Sequence, residues 1–192
     1  ERDTARAAAA DAAKQAIALP RVFKFDHVLA LGAVQQLRDD GTEARDVLFG
    51  LLEVFVTGTL ADYRAYCAKH SLDQRDALRT NFALEHEQCV EKMRLLTLAT
   101  LAARAARSSH TLRYADVAAA LDVPHADVEA WVVRAIAQGV LRARLDQLNE
   151  TITVNQFVQR HFTDADWREL GTQLQQWQRN IDELLATVRA AR

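Results

Sequence analysis

The feature that most constrains this chain lies towards its C-terminal end. Apolar residues fall at Trp167, Leu170, Leu174, Trp177, Ile181, Leu184 and Val188, in steps of 3, 4, 3, 4, 3 and 4. Steps alternating in this way hold one stripe of an α-helix against a neighbouring helix, the heptad seam of a coiled coil or bundle. The start of this helix is also marked. Thr163 is a suitable N-cap, with Asp164 and Asp166 in the first turn, where carboxylates suit the helix dipole. Phe162 and Trp167 have the spacing of a hydrophobic staple. At ~1.5 Å per residue the helix is roughly 40 Å long. A seam of that length outruns a small domain and is expected to meet helices from another chain.

The rest of the sequence also reads as mainly α. Only 6 glycines and 2 prolines occur in 192 residues, among many alanines; Gly and Pro are the costly residues in helix interiors and Ala the best former. Hydrophobic residues make up 49% and charged residues 26%, the balance of a folded chain rather than a disordered one. Residues 2–18 are Ala-rich and stop before Pro20. Residues 43–56 carry Val47, Leu48, Leu51, Leu52 and Phe55 on one helical face. Thr59 caps a helix that holds Tyr63 and Tyr66, with Lys69 and His70 in its last turn, and Ser71 starts another that ends near Thr80. Helices in series, each burying a face on the next, make a helical-repeat solenoid over residues 1–81. Tyr63 and Tyr66 are expected to pack between its helices.

Residues 82–106 read as one long helix, after which the texture changes. "HTLRY" (110–114) is β-prone, 114–121 is a short helix, and 122–140 places Val128, Trp131, Val132, Ala135 and Ile136 on one face before Gly139. Two alternating strands, 140–146 and 151–155, flank the turn "QLNE". This is the order of a winged helix, over residues 82–161, with Trp131 expected in its core. Residues 162–192 then form the bundle helix.

One stretch invites a chemical reading. "HEQCVEKMRLLTL" (86–98) gathers a histidine, a cysteine and two glutamates. A zinc protease helix needs His-Glu-x-x-His, and here the last position is Val90. His86 with Cys89, and Cys67 with His70, are single i, i+3 pairs, short of the three or four ligands zinc takes. We expect no metal. His86, Cys89, Met93 and Leu96 read as a packed face, and Glu87, Glu91 and Arg94 as its solvated side, with Glu91 and Arg94 paired at i, i+3. No nucleophile elbow, P-loop or dinucleotide fingerprint is present. Catalytic residues, cofactors and a small-molecule substrate are not expected.

Nucleic acid is a fairer rival, because winged helices often read DNA with their second motif helix. That helix opens here with His125, Asp127 and Glu129. Over 110–160 there are 5 basic and 6 acidic residues, where a duplex binder needs a basic face. Arg142 and Arg144, alternating on one strand face, are the residues able to touch a phosphate backbone. The whole chain has a formal net charge of -2. No apolar run approaches the ~18 residues of a membrane span. Cys67 and Cys89 form no disulfide framework, which suits a reducing compartment. A chain beginning at Glu1 rather than Met reads as a piece of a longer one.

A solenoid joined by a long helix to a winged helix and then a bundle helix resembles a PCI domain. The local words "VFKFDHVLAL" (22–31), "LLEVFVTGTLADYRAY" (51–66), "HEQCVEKMRLLTL" (86–98), "DVEAWVVRAI" (127–136) and "LDQLNETITV" (145–154) resemble one branch of it. That branch is the family of M subunits of eukaryotic translation initiation factor three. The segment between Tyr66 and His86 is longer than the family pattern, and the family has further N-terminal helices. The resemblance implies a right-handed solenoid and a cytoplasmic, non-catalytic scaffold subunit of that factor. It also implies a bundle shared with other PCI and MPN subunits, and docking on the small ribosomal subunit through the complex. The bundle contacts would be Trp167, Leu170, Leu174, Trp177, Ile181, Leu184 and Val188. Lateral contacts would lie along the winged-helix strand edges at Leu141, Ala143, Leu145, Ile152 and Val154. Sister scaffolds, the COP9 signalosome and the proteasome lid, share the plan.

Overall fold

The computed structural model describes residues 2–38, 43–72 and 77–190. The chain divides into two compact units, Glu1–His161 and Phe162–Arg192.

The first unit begins with α1 (Arg2–Ala18), α2 (Asp26–Leu29), α3 (Gly32–Gln35) and α4 (Glu43–Thr57). Ala9, Ala10, Ala13, Ala16 and Ile17 form the buried face of α1. Their small side chains let the helix lie close on α3 and α4. The α4 stripe is buried at Leu48, Leu51, Leu52 and Phe55. Phe25, Phe55 and Tyr63 meet edge to face, at centroid distances of 6.2 and 5.7 Å, the arrangement ring quadrupoles favour.

Next come α5 (Leu60–Lys69), α6 (Ala77–Phe82) and α7 (His86–Ala106). A capping box between Thr59 and Asp62 starts α5, and the Thr97 hydroxyl of α7 accepts from Leu60 N at 2.9 Å. Tyr66 lies across Gly50 and donates to the Val47 carbonyl at 2.9 Å. Tyr63 and Tyr66 thus pack between helices as expected. Two expected boundaries are corrected. Ser71 starts no helix: it sits in a turn at φ 53°, residues 73–76 lie outside the described set, and α6 begins at Ala77. The helix expected over 82–106 starts at His86, because Ala83 adopts φ 56° and breaks the run after α6.

The unit ends with β1 (Thr111–Arg113), α8 (Tyr114–Leu121), a 3-10 turn (His125–Asp127), α9 (Val128–Ala137), β2 (Leu141–Asp146) and β3 (Thr151–Phe157). Gly139, at φ +73°, ends α9, and Val140 N closes onto Ala135 O at 2.9 Å. The strands form an antiparallel sheet in the order β1-β3-β2. Arg142 pairs with Gln156 and Ala143 with Val154, so Asn155 is an extra residue in the ladder. Helix α7 packs against α1 and α5 and also against α8, α9, β1 and β3. One core therefore runs from Ala9 to Val154, and the helical-repeat and winged-helix parts are not separate bodies. The mainly helical architecture is the one the resemblance in the sequence implies.

The second unit is α10 (Asp164–Ala190).

Candidate functional site

Helix α10 is built to begin at one residue. The Thr163 hydroxyl accepts from Asp166 N at 3.2 Å, and Thr163 N donates to Asp166 Oδ2 at 2.8 Å, a reciprocal capping box. Phe162 and Trp167 stack at 5.0 Å between centroids. From there the helix has no buried residue. Trp167 is 58% exposed, Trp177 61% and Leu184 66%, with Leu174, Ile181 and Val188 similar; Leu170 is half-buried. Large apolar side chains are thus aligned in water over about six turns, a contiguous exposed patch larger than scattered surface apolar residues make.

The winged-helix edge is corrected in part. β3 is the central strand, hydrogen-bonded on both sides, so Ile152 and Val154 lie on no free edge. Their side chains, with that of Leu141, are buried in the core, because the alternation that marked the strands points these residues inward. Ala143 and Leu145 are half-buried. β2 pairs only with β3 among the described residues, and its free side keeps the unpaired backbone groups that suit strand addition. Arg142 and Arg144 point outward and are exposed. On α9, Arg134 is occupied by Glu91 at 2.6 Å. Trp131, expected in the core, is instead half-buried between the guanidiniums of Arg94 and Arg134, at 5.0 and 5.2 Å.

In the stretch 86–98 the structure separates the residues that invited a chemical reading: Cys89 is buried while His86, Glu87 and Glu91 are exposed. His86 is exposed rather than packed in, yet its ring stacks on Tyr63 at 5.8 Å and its Nδ1 meets the Tyr63 hydroxyl at 3.2 Å. Burial pushes the Cys89 thiol up to about 11, which leaves almost no thiolate near neutral pH, and the thiolate is the nucleophile. Among the described residues no group of three or more His, Cys, Asp or Glu side chains is placed to hold a metal ion. Arg94 is half-buried, not solvated, and donates to Leu121 O at 3.1 Å and Asp122 O at 3.3 Å. It does not pair with Glu91, which is taken by Arg134.

Sequence reasoning missed two buried cations that hold the first unit together. Lys92 is 4% exposed. Its ammonium donates to the carbonyls of Ala16, Ile17 and Leu19, at 2.7, 2.9 and 2.7 Å. These are end groups of α1, which lack donors within the helix and carry the negative pole of its dipole. Burial pulls Lys92 down to about 8. Arg160 is 6% exposed. Its Nη1 donates to Gly58 O and Thr100 Oγ1, both at 2.8 Å, and to Leu96 O at 3.3 Å; Nη2 donates to Phe55 O at 2.8 Å. Burial pulls Arg160 down to about 10, against the upward pull of Asp62. His161 Nδ1 lies 2.6 Å from Asp26 Oδ1. Arg160 and His161, the last residues of the unit, are thus tied back to the ends of α4 and α2. A signal for Lys92 was available, since it stands three residues from both Cys89 and Leu95, on the apolar side of α7. Arg160 gave none, because its partners lie 60 to 105 residues away.

A helical-repeat body sharing its core with a winged helix, followed by a heptad helix with an exposed apolar seam, is the plan of a PCI module. The PCI-domain model matches residues 60–156, and the chain belongs to that family. It is similar over 188 residues to eukaryotic translation initiation factor 3 subunit M of Aspergillus terreus, at 38% identity, covering 98% of this chain and 39% of that protein. The same subunit of Emericella nidulans is 34% identical over 193 residues, covering 98% of this chain and 41% of that protein. The chain therefore spans about two fifths of these relatives. None of its described helices is long and apolar enough to cross a membrane.

Proposed function

We propose that this chain is the assembly half of a non-catalytic scaffold subunit of translation initiation factor three, acting in the cytoplasm. Its PCI part, residues 1–161, joins other PCI subunits, and residues 162–192 enter a helical bundle with PCI and MPN subunits. Docking on the small ribosomal subunit follows through the assembled complex. The similarity to M subunits favours this factor over the signalosome and the proteasome lid. The observation that carries the reading is the exposed α10 seam. Burying one large apolar side chain contributes about 1.5–3 kcal/mol, so six side chains that are half exposed or more hold a gross term of roughly 5–10 kcal/mol before association costs. Within the complex, the free side of β2 at Leu141, Ala143 and Leu145 offers lateral pairing, and Arg142 and Arg144 a contact to ribosomal RNA.

The test is the triple variant Leu174→Glu, Trp177→Glu, Ile181→Glu. It should fall out of the purified complex while the thermal transition of the first unit stays unchanged. Normal co-purification of the variant would sink the proposal.

A further inference from the structure

The residues beside the α10 seam carry a second pattern. With Trp167 at heptad position a, the flanking e positions are Gly171, Gln178 and Leu185, and the g positions are Gln173, Asn180 and Thr187. None is charged. All six charged residues between 167 and 190, namely Arg168, Glu169, Arg179, Asp182, Glu183 and Arg189, fall at b, c and f. The e and g positions are where coiled coils place the ion pairs that choose partner and orientation. Here those places hold amides, a hydroxyl, a leucine and a glycine. At roughly 100° per residue the uncharged sector, from g through d and a to e, covers about 160° of the helix circumference. A strict a/d seam is narrower. Leu185, at an e position, is 46% exposed, so apolar surface runs off the seam onto a flank.

We propose that α10 is covered on both flanks by helices of partner subunits whose facing positions are also uncharged. It selects them by amide and hydroxyl hydrogen bonds and close packing rather than by ion pairs. Charge matching argues for this occupant. A charged partner residue facing Gln173, Gln178 or Asn180 would be desolvated without an opposite charge to meet it, an unfavourable burial. Gly171 leaves room for a helix to approach closely on the e side. A second copy of this chain is the alternative occupant, and the experiment separates the two. The inference rests on the bundle reading above, and its test fails separately from that one.

The experiment uses the tagged full chain in its purified complex. Wild-type retention should be unchanged from low salt to about 1 M, where the screening length is only ~3 Å. Gln178→Glu and Gln173→Glu, on the two flanks, should each lower retention at least tenfold. Gln175→Glu, the same chemical change at an outward b position, should be retained like wild type. Release of the wild type by salt would overturn the proposal. So would equal behaviour of the flank and outward variants, or recovery of a differently tagged second copy of the chain through this helix. If Gln178→Glu and Gln173→Glu bind normally while the triple seam variant is lost, the bundle reading stands and the flank reading falls.

Discussion

Replacing Arg160 by lysine, which keeps the charge, should destabilise the first unit. The guanidinium is a fork: Nη1 serves Gly58, Leu96 and Thr100 while Nη2 serves Phe55. A lysine ammonium presents its donors from one point and cannot span both arms. Phe55 O, at the end of α4, then loses its donor. The Leu96 carbonyl is less exposed to this change because the Thr100 hydroxyl already donates to it at 3.1 Å. An orphaned buried carbonyl costs about 1–3 kcal/mol. The burial penalty of the charge is not relieved, since lysine is at least as strongly hydrated. Methionine differs. It orphans both Phe55 O and Gly58 O, about 2–6 kcal/mol together. It also removes a cation whose pKa burial pulls well below the ordinary guanidinium value, to about 10, worth about 3 kcal/mol. Arg160→Met should therefore be no less stable than Arg160→Lys, reversing the order that charge conservation suggests. At roughly 2–4 °C per kcal/mol for a chain of this size, Arg160→Lys should lower the melting temperature by about 2–12 °C. Circular dichroism at 222 nm measures it. A melting temperature within a degree of wild type for Arg160→Lys would refute the fork as a clasp.

Lys92 gives a prediction in pH. Its value falls from 10.5 to about 8 on folding, so between those values the unfolded chain binds the extra proton and stability from this group rises with pH. Wild type should gain on Lys92→Met between pH 8 and 10.5 in paired urea titrations; a pH-independent difference would contradict it. Cys89 runs the other way, from 9.0 to about 11, and the Lys92 charge itself pulls it down, so both proteins are compared in a Cys89→Ala background, which removes that contribution. Gly50→Ala drives a Cβ into the Tyr66 hydroxyl, closer than van der Waals contact allows. It should displace the ring and break its bond to Val47, lowering stability by about 1–3 kcal/mol, despite the better helix propensity of alanine. Thermal melts check this, and an unchanged or raised melting temperature would show that Tyr66 moves freely.

Local chemistry was legible in the sequence, and long-range chemistry was not. The Thr59 and Thr163 caps, the Phe162–Trp167 staple, the α4 stripe and the α10 seam depend on residues within a turn or two of each other. Their spacing states their geometry. Order within the sheet depends on which strand takes the centre, and alternation in β2 and β3 says nothing of that. Ile152 and Val154 were therefore assigned to an edge that β1 and β2 occupy. The break at Ala83 was invisible because alanine favours helix and a non-glycine residue is uncommon at positive φ. Arg94 was taken for a surface charge, and Lys92 and Arg160 were given no place, because a cation is buried only when distant carbonyls or a ring receive it.

Those same cations explain how labour is divided along the chain. A repeat body and a winged helix joined by apolar contact alone would be free to slide, since dispersion is not directional. Lys92 on the end of α1 and Arg160 on the end of α4 each meet carbonyls of the other part at set distances. Hydrogen bonds lose strength steeply with misalignment, so these contacts specify one arrangement of the two parts. Helix α10 has no such device beyond its own cap. Its apolar face is arranged for order supplied from outside. The body is thus fixed by directional contacts within the chain, while the last helix carries its apolar face exposed, which is the division of labour the proposed scaffold role requires.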